Sequence, residues 1–206
     1  MADRHENARL EALCDGVFAI AMTLLIIDVG LPAGQEFNTT ADVWKALLQL
    51  APEIYAFVLS FIVIFISWVN HHQLFRLLGK SSSQFIYANG FLLLTIVLIP
   101  FPTKLMGEYV LTNHASPAVV AYNAVFALAG LAWYLMSRSA VACDLSHSAE
   151  AESKVKEAGR NAGFAFVTYG VFAVLAIWLP QAAAALTTAS WLFWLVWGIG
   201  IAKAAA

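Results

Sequence analysis

Arg9-Leu10-Glu11-Ala12-Leu13-Cys14-Asp15-Gly16-Val17-Phe18-Ala19-Ile20-Ala21-Met22-Thr23-Leu24-Leu25-Ile26-Ile27 is the stretch whose reading decides the fold. From Leu13 to Leu31 the chain is long and apolar enough to cross a bilayer, which takes a helix of about 20 residues. Two carboxylates lie within it, Asp15 near one end and Asp28 near the other. A charge inside a span is costly, so each is expected to have a partner or a wet environment. At 3.6 residues per turn, Gly16, Ile20, Thr23 or Leu24, Ile27 and Leu31 form one stripe. Asp15, Ala19, Met22 and Ile26 form the neighbouring one. Periodicity leaves two readings open: a lipid-facing first span with polar ends, or a pore-lining helix with an apolar constriction and one hydroxyl at Thr23.

The rest of the chain agrees with a membrane protein. It is 61% hydrophobic and only 12% charged, with a mean hydropathy of +0.75. A soluble domain of 206 residues needs more surface charge than this. The net charge of -2, with no basic arm, argues against a nucleic-acid partner. No cleavable signal peptide is expected, because the apolar run after Arg9 is too long for one and no small-residue cleavage pattern follows.

The predicted fold is all-α, one domain over 1–206, with six spans at about 9–31, 53–78, 84–108, 116–137, 161–180 and 188–204. Met1 to Asn7 is expected to fray. Asp42–Leu48 reads as a short amphipathic helix capped by Thr39 or Thr40, with Trp44 at the membrane interface. Pro100 and Pro102 are expected to break the third span, and Pro180 to stop the fifth. Ser148–Glu157 pairs Glu150 with Lys154 and Glu152 with Lys156 at i,i+4, the mark of a solvated helix ahead of the fifth span. Trp191, Trp194 and Trp197 recur every third residue, as interface anchors or packing residues.

Six spans put both termini on one side. With that side cytoplasmic, Arg4, Arg9, Arg76, Lys80, Arg138, Lys154, Lys156, Arg160 and Lys203 lie inside, and Lys45 and Lys104 outside. The bias sets the orientation and makes this a multi-pass protein of the cell membrane. Cys14 and Cys143 then both lie at or near the reducing side, so no disulfide is expected.

The orientation also puts Arg9, Asp15 and the Asn70-His71-His72 end of the second span at one membrane face. Arg9 and Asp15 are nearly two turns apart, too far to pair with each other. A cluster of Asp15 with one histidine and Asn70 would satisfy buried polar atoms, either as a structural staple or as a proton relay. His71 and His72 point about 100° apart on a helix, and no third ligand has suitable spacing, so no metal site is expected. No nucleophile-and-base pair stands out, and the chain does not read as an enzyme or as a cofactor binder.

The motif Arg9-x-x-x-Leu13-Cys14-Asp15-Gly16-Val17-Phe18-Ala19-Ile20, followed by Thr23-Leu24-Leu25, resembles the signature R-x-x-x-F-S-D-G-V-F-A-I of the transmembrane protein 175 family of potassium channels. Trp68-x-Asn70-His71-His72 also resembles that family. Leu13 and Cys14 stand where the family has Phe and Ser. The resemblance implies a homotetramer whose first helices line the pore. It implies an apolar constriction at Ile20, Leu24 and Ile27, a selectivity-linked hydroxyl at Thr23, and potassium as the permeant ion. No T-V-G-Y-G run is present for a carbonyl filter. Two functions remain in view: a weakly selective potassium channel closed by that constriction, and a proton channel or proton-coupled carrier working through Asp15, His71 and Asn70.

Overall fold

A computed structural model describes the backbone of residues 2–27, 29–31 and 37–204, and the side chains of 7–27, 29–31 and 37–192. Asp28, and the side chains of Trp194 and Trp197, lie outside the described residues. The architecture is all-helical: α1 (Ala2–Leu24), α2 (Thr40–Gln49), α3 (Ala51–Arg76), α4 (Ser83–Leu98), α5 (Pro100–Tyr109), α6 (Ala115–Ala142), α7 (Ala149–Leu175) and α8 (Pro180–Ala204).

Prolines start helices here rather than ending them. Pro52 lies in the first turn of α3, and Pro100 and Pro180 open α5 and α8. The first-turn N–H groups have no intrahelical acceptor, so proline costs nothing there. The expected break at Pro100 is therefore only a joint at Ile99, and α4 and α5 form one rod over Ser83–Tyr109. α8 begins at Pro180 for the same reason, eight residues ahead of the start expected for the sixth span.

Two further boundaries differ. The solvated segment and the fifth span are one helix, α7, carrying the Lys154–Glu150 pair at 2.8 Å and the Lys156–Glu152 pair on its first turns. The first helix already runs from Ala2, through the segment expected to fray, and ends at Leu24 with turns to Ile27. Its successor Ile26-Ile27-Asp28-Val29 is rich in β-branched residues, which lose χ1 freedom in a helix. The short helix α2 forms as expected. Thr39 accepts the Asp42 N–H, and the Asp42 carboxylate accepts the Thr39 N–H at 2.9 Å, a capping box. These bonds from the Thr39 hydroxyl and backbone hold the Asp42 carboxyl below its usual range.

Successive rods run antiparallel. At one end Gly79 N–H donates to Leu145 C=O at 2.9 Å and His147 N–H donates to Leu77 C=O at 3.2 Å, clamping the turn after α3 to the turn after α6. At the other end Ser116 on α6 donates to Ile177 C=O, after α7, at 3.4 Å. The core holds Phe18, Ile64, Phe85, Leu92, Ile96, Tyr122 and Met136, all nearly inaccessible. Several polar groups inside it pair with one another: the Ser60 hydroxyl meets Thr103 at 2.7 Å and Tyr122 at 3.0 Å, and Thr187 donates to Asn123 Oδ1 at 2.7 Å. Trp191 packs on Phe126 and stacks on Tyr169, so this tryptophan is a packing residue.

Among the described residues three rods, Ala51–Arg76, Ser83–Tyr109 and Ala115–Ala142, are long and apolar enough to cross a membrane. By length α1, α7 and α8 match them, with 23, 27 and 25 residues. α7 carries its charges in its first half, and α1 has none beyond Asp15.

Candidate functional site: the first helix and its polar seam

α1 has two unlike faces. Cys14, Phe18, Ala21 and Leu25 recur at helical spacing and are buried against α3 and α4. Leu13, Ile20, Leu24 and Ile27 are 60%, 58%, 38% and 72% exposed. Gly16 and Thr23 lie on the same open side. The Thr23 hydroxyl donates to Ile20 C=O at 2.9 Å, which commits its proton and leaves its oxygen lone pairs free to accept. Ile27 lies in the turn beyond the helix, so the stripe is regular only as far as Leu24.

Beside its buried face, α1 meets α3 through two matched pairs. Glu11 and Asp15 are one turn apart on α1, and Trp68 and His72 are one turn apart on α3. Because the helices are antiparallel, Trp68 Nε1–H donates to Asp15 Oδ1 at 2.8 Å and His72 Nδ1–H donates to Glu11 Oε1 at 2.8 Å. The indole and imidazole of Trp68 and His72 stack, with centroids 6.4 Å apart.

His71, one position round, points into the core and is fully buried. Its Nε2–H donates to Asn89 Oδ1 at 2.8 Å, and Asn89 Nδ2 donates to Cys14 Sγ at 3.2 Å. This thiol–amide–imidazole chain ties α1, α4 and α3 together. Phe18 and Phe75 flank the imidazole at 5.4 and 4.5 Å. His71 Nδ1 is buried without a hydrogen-bond partner among the described residues.

The expected group of Asp15, a histidine and Asn70 therefore divides. Asp15 is held by Trp68, His71 by Asn89, and Asn70 is exposed on another face of α3 beside a large cavity. Adjacent residues on a helix diverge by about 100°, so Asn70 and His71 cannot serve one site. Arg9 is exposed on α1. Glu11 and Asn89 were not anticipated. The signals were present: Glu11 is one turn before Asp15, and Asn89 is an amide inside the apolar run Phe85–Leu94. Among the described residues no group of three or more His, Cys, Asp or Glu could hold a metal ion.

Asn89→Leu should lower the stability of the purified protein by about 1–3 kcal/mol, because it strands the His71 N–H and the Cys14 thiol in the core. Thermal unfolding in detergent measures this. Asn70→Leu, at an exposed position, is the matched control, and equal losses from the two would refute the seam described here.

Residues 9–100 match the profile of the family described as endosomal/lysosomal potassium channel TMEM175. A potassium channel of Chamaesiphon minutus is 37% identical over 142 residues, 69% of this chain and 70% of that protein. This chain belongs to the TMEM175 family. The family is one of ion channels, not enzymes, and its membership makes the chain a multi-pass membrane protein. The crystal structure of a TMEM175 homologue from Chamaesiphon minutus, a lysosomal potassium-selective channel by its description, superposes with a TM-score of 0.74 at 30% identity. The match covers 92% of this chain and 97% of that one. A chicken TMEM175, named an endosomal/lysosomal proton channel, is 32% identical over 113 residues, 52% of this chain and 22% of its own length. The TMEM175 profile covers α1, α3 and α4, the three helices joined by the Cys14–Asn89–His71 chain.

Proposed function

We propose that the chain is a potassium channel: a homotetramer of six-span subunits in the cell membrane, with both termini cytoplasmic. Four α1 helices line the pore, Ile20, Leu24 and Ile27 constrict it, and the Thr23 hydroxyls favour potassium. The observation that carries this reading is the division of α1. Its acidic and thiol side chains are spent on α3 and α4, while an apolar stripe with one hydroxyl is left open. A single helix per chain cannot enclose a narrow path, so the stripe needs copies of itself around an axis. An apolar ring conducts only when it widens enough to hold water.

The deciding experiment is recording in planar bilayers with potassium and sodium on opposite sides. Thr23→Ala should keep the current and shift the reversal potential toward zero, since four hydroxyls that replace ion hydration are lost. An unchanged reversal potential would remove Thr23 from the permeation path. Crosslinking in mild detergent should give a ladder ending at four, and a conducting monomer would sink the channel architecture.

The relative named as a proton channel favours a second reading, conduction or coupled transport of protons through Asp15, His71 and Asn70. Neither Asp15 nor His71 is among the described residues lining the large cavity that Asn70 borders. A reversal potential that follows a pH gradient, and is lost in Asp15→Asn, would replace potassium by protons.

A further inference from the structure

A cavity of about 830 Å³ opens between α3 on one side and α6, α7 and α8 on the other. It borders faces of α3 that do not meet α1. Its deep wall is apolar and aromatic, including Val63, Ile66, Ile96, Phe126 and Trp133. The Trp133 indole donates to Ser67 across it at 3.3 Å, which fixes its width at one level. Its mouth is polar: Gln73, Arg76, His147, Lys154 and Asn161. Glu150 also lies at the mouth, but its charge is taken up by Lys154 at 2.8 Å, so Arg76 carries the uncompensated charge. The mouth is the end clamped by Gly79–Leu145, where the excess of Arg and Lys puts the cytoplasm.

We propose that this cavity holds one anionic phospholipid of the inner leaflet, with its phosphate at Arg76 and an acyl chain along the wall. Three observations converge on that occupant. The volume is within the range of about 300–1,000 Å³ that small-molecule sites span. Polarity is sorted along the cavity as it is along a lipid, head at one end and tail at the other. The charge at the head end is positive, and basic pockets between helices on the cytoplasmic side suit anionic headgroups. A water-filled pathway would need polar groups along its length, and the deep wall has few.

Native mass spectrometry of the full chain, after exchange into phosphatidylglycerol or phosphatidylcholine, tests this without reference to conduction. The expected result is on the order of one retained phosphatidylglycerol per chain, with phosphatidylcholine lost more readily. Arg76→Gln lies at the exposed mouth, leaves the Lys154–Glu150 pair intact and should fold normally. It should cut phosphatidylglycerol retention about tenfold and leave phosphatidylcholine unchanged. Equal retention of both lipids by the parent, or no effect of Arg76→Gln, would overturn the proposal. A photoreactive residue placed at Ala165, within the lining, should attach to lipid, and attachment to a second copy of the chain would make the cavity a subunit contact instead.

Discussion

Ile20→Asn channels are expected to pass much larger currents than the parent at the same voltage, with Ile20→Ala between the two. Ile20 is 58% exposed within the chain, on the open side of α1, so the substitution strands no core neighbour and the subunit should fold as before. In the proposed tetramer, four such branched side chains with few rotamers would make a stiff, dry ring. Water does not persist in so narrow an apolar passage, and an ion that enters loses hydration with nothing in exchange. Truncation to alanine widens the ring, and asparagine also supplies groups that hydrogen-bond to water. If hydration of the ring lowers the barrier by about 1.4 kcal/mol, current rises about tenfold. Purified variants in planar bilayers, matched for protein incorporated, give the measurement. Currents at the parent level in both variants would place Ile20 away from the pore and return the stripe to its other reading, a surface facing lipid.

One stripe of this helix was legible from spacing alone: Gly16, Ile20, Thr23 and Leu24 share the open side. The buried set Cys14, Phe18, Ala21 and Leu25 was not read as a face, because spacing groups residues without saying which group the neighbouring helices cover. The cap of α2 was legible for a related reason, since Thr39 and Asp42 complete each other's hydrogen bonds within one turn. What spacing does not give is the register of one helix on another. Trp68 holds Asp15 and Asn89 holds His71 because of how far α3 and α4 slide along α1, and no local pattern records that distance. Asn70 was grouped with His71 by adjacency in sequence, yet a helix sends adjacent side chains to different partners. Composition misleads at α7, where charge gives way to apolar residues near Arg160. Helix propensity is indifferent to that change, so one helix crosses the boundary. The prolines at 100 and 180 interrupt the pattern in the sequence, and only the backbone shows that they open the next helix.

Gly130→Val should abolish the folded protein, while Gly16→Ala should leave the subunit intact. A Cβ at Gly130 would stand 2.7 Å from the Phe166 backbone nitrogen, 3.0 Å from its Cα and 3.2 Å from the Ala162 carbonyl oxygen. These are backbone atoms of α7, so no rotamer change relieves the contact and the two helices must separate. Small residues are what allow helix backbones to approach this closely inside a bilayer. The neighbouring contact repeats the theme, since a Cβ at Gly159 would meet the Ser137 Cβ at 3.0 Å. Separating α6 from α7 loosens the longest seam in the chain, and overpacking alone costs about 1–3 kcal/mol before that loss is added. Size-exclusion profiles of fluorescent fusions should show Gly130→Val as aggregate or absent. At Gly16 a Cβ meets nothing within 4 Å in the chain, and alanine favours the helix by about 0.5–1 kcal/mol. A single subunit therefore has no reason to notice Gly16→Ala. If that variant folds and yet changes the crosslinking ladder or the current, the new methyl group is meeting another copy, and the open side of α1 faces its own kind. A normal profile for Gly130→Val would show that α6 and α7 pack further apart than described, and the seam would need redrawing.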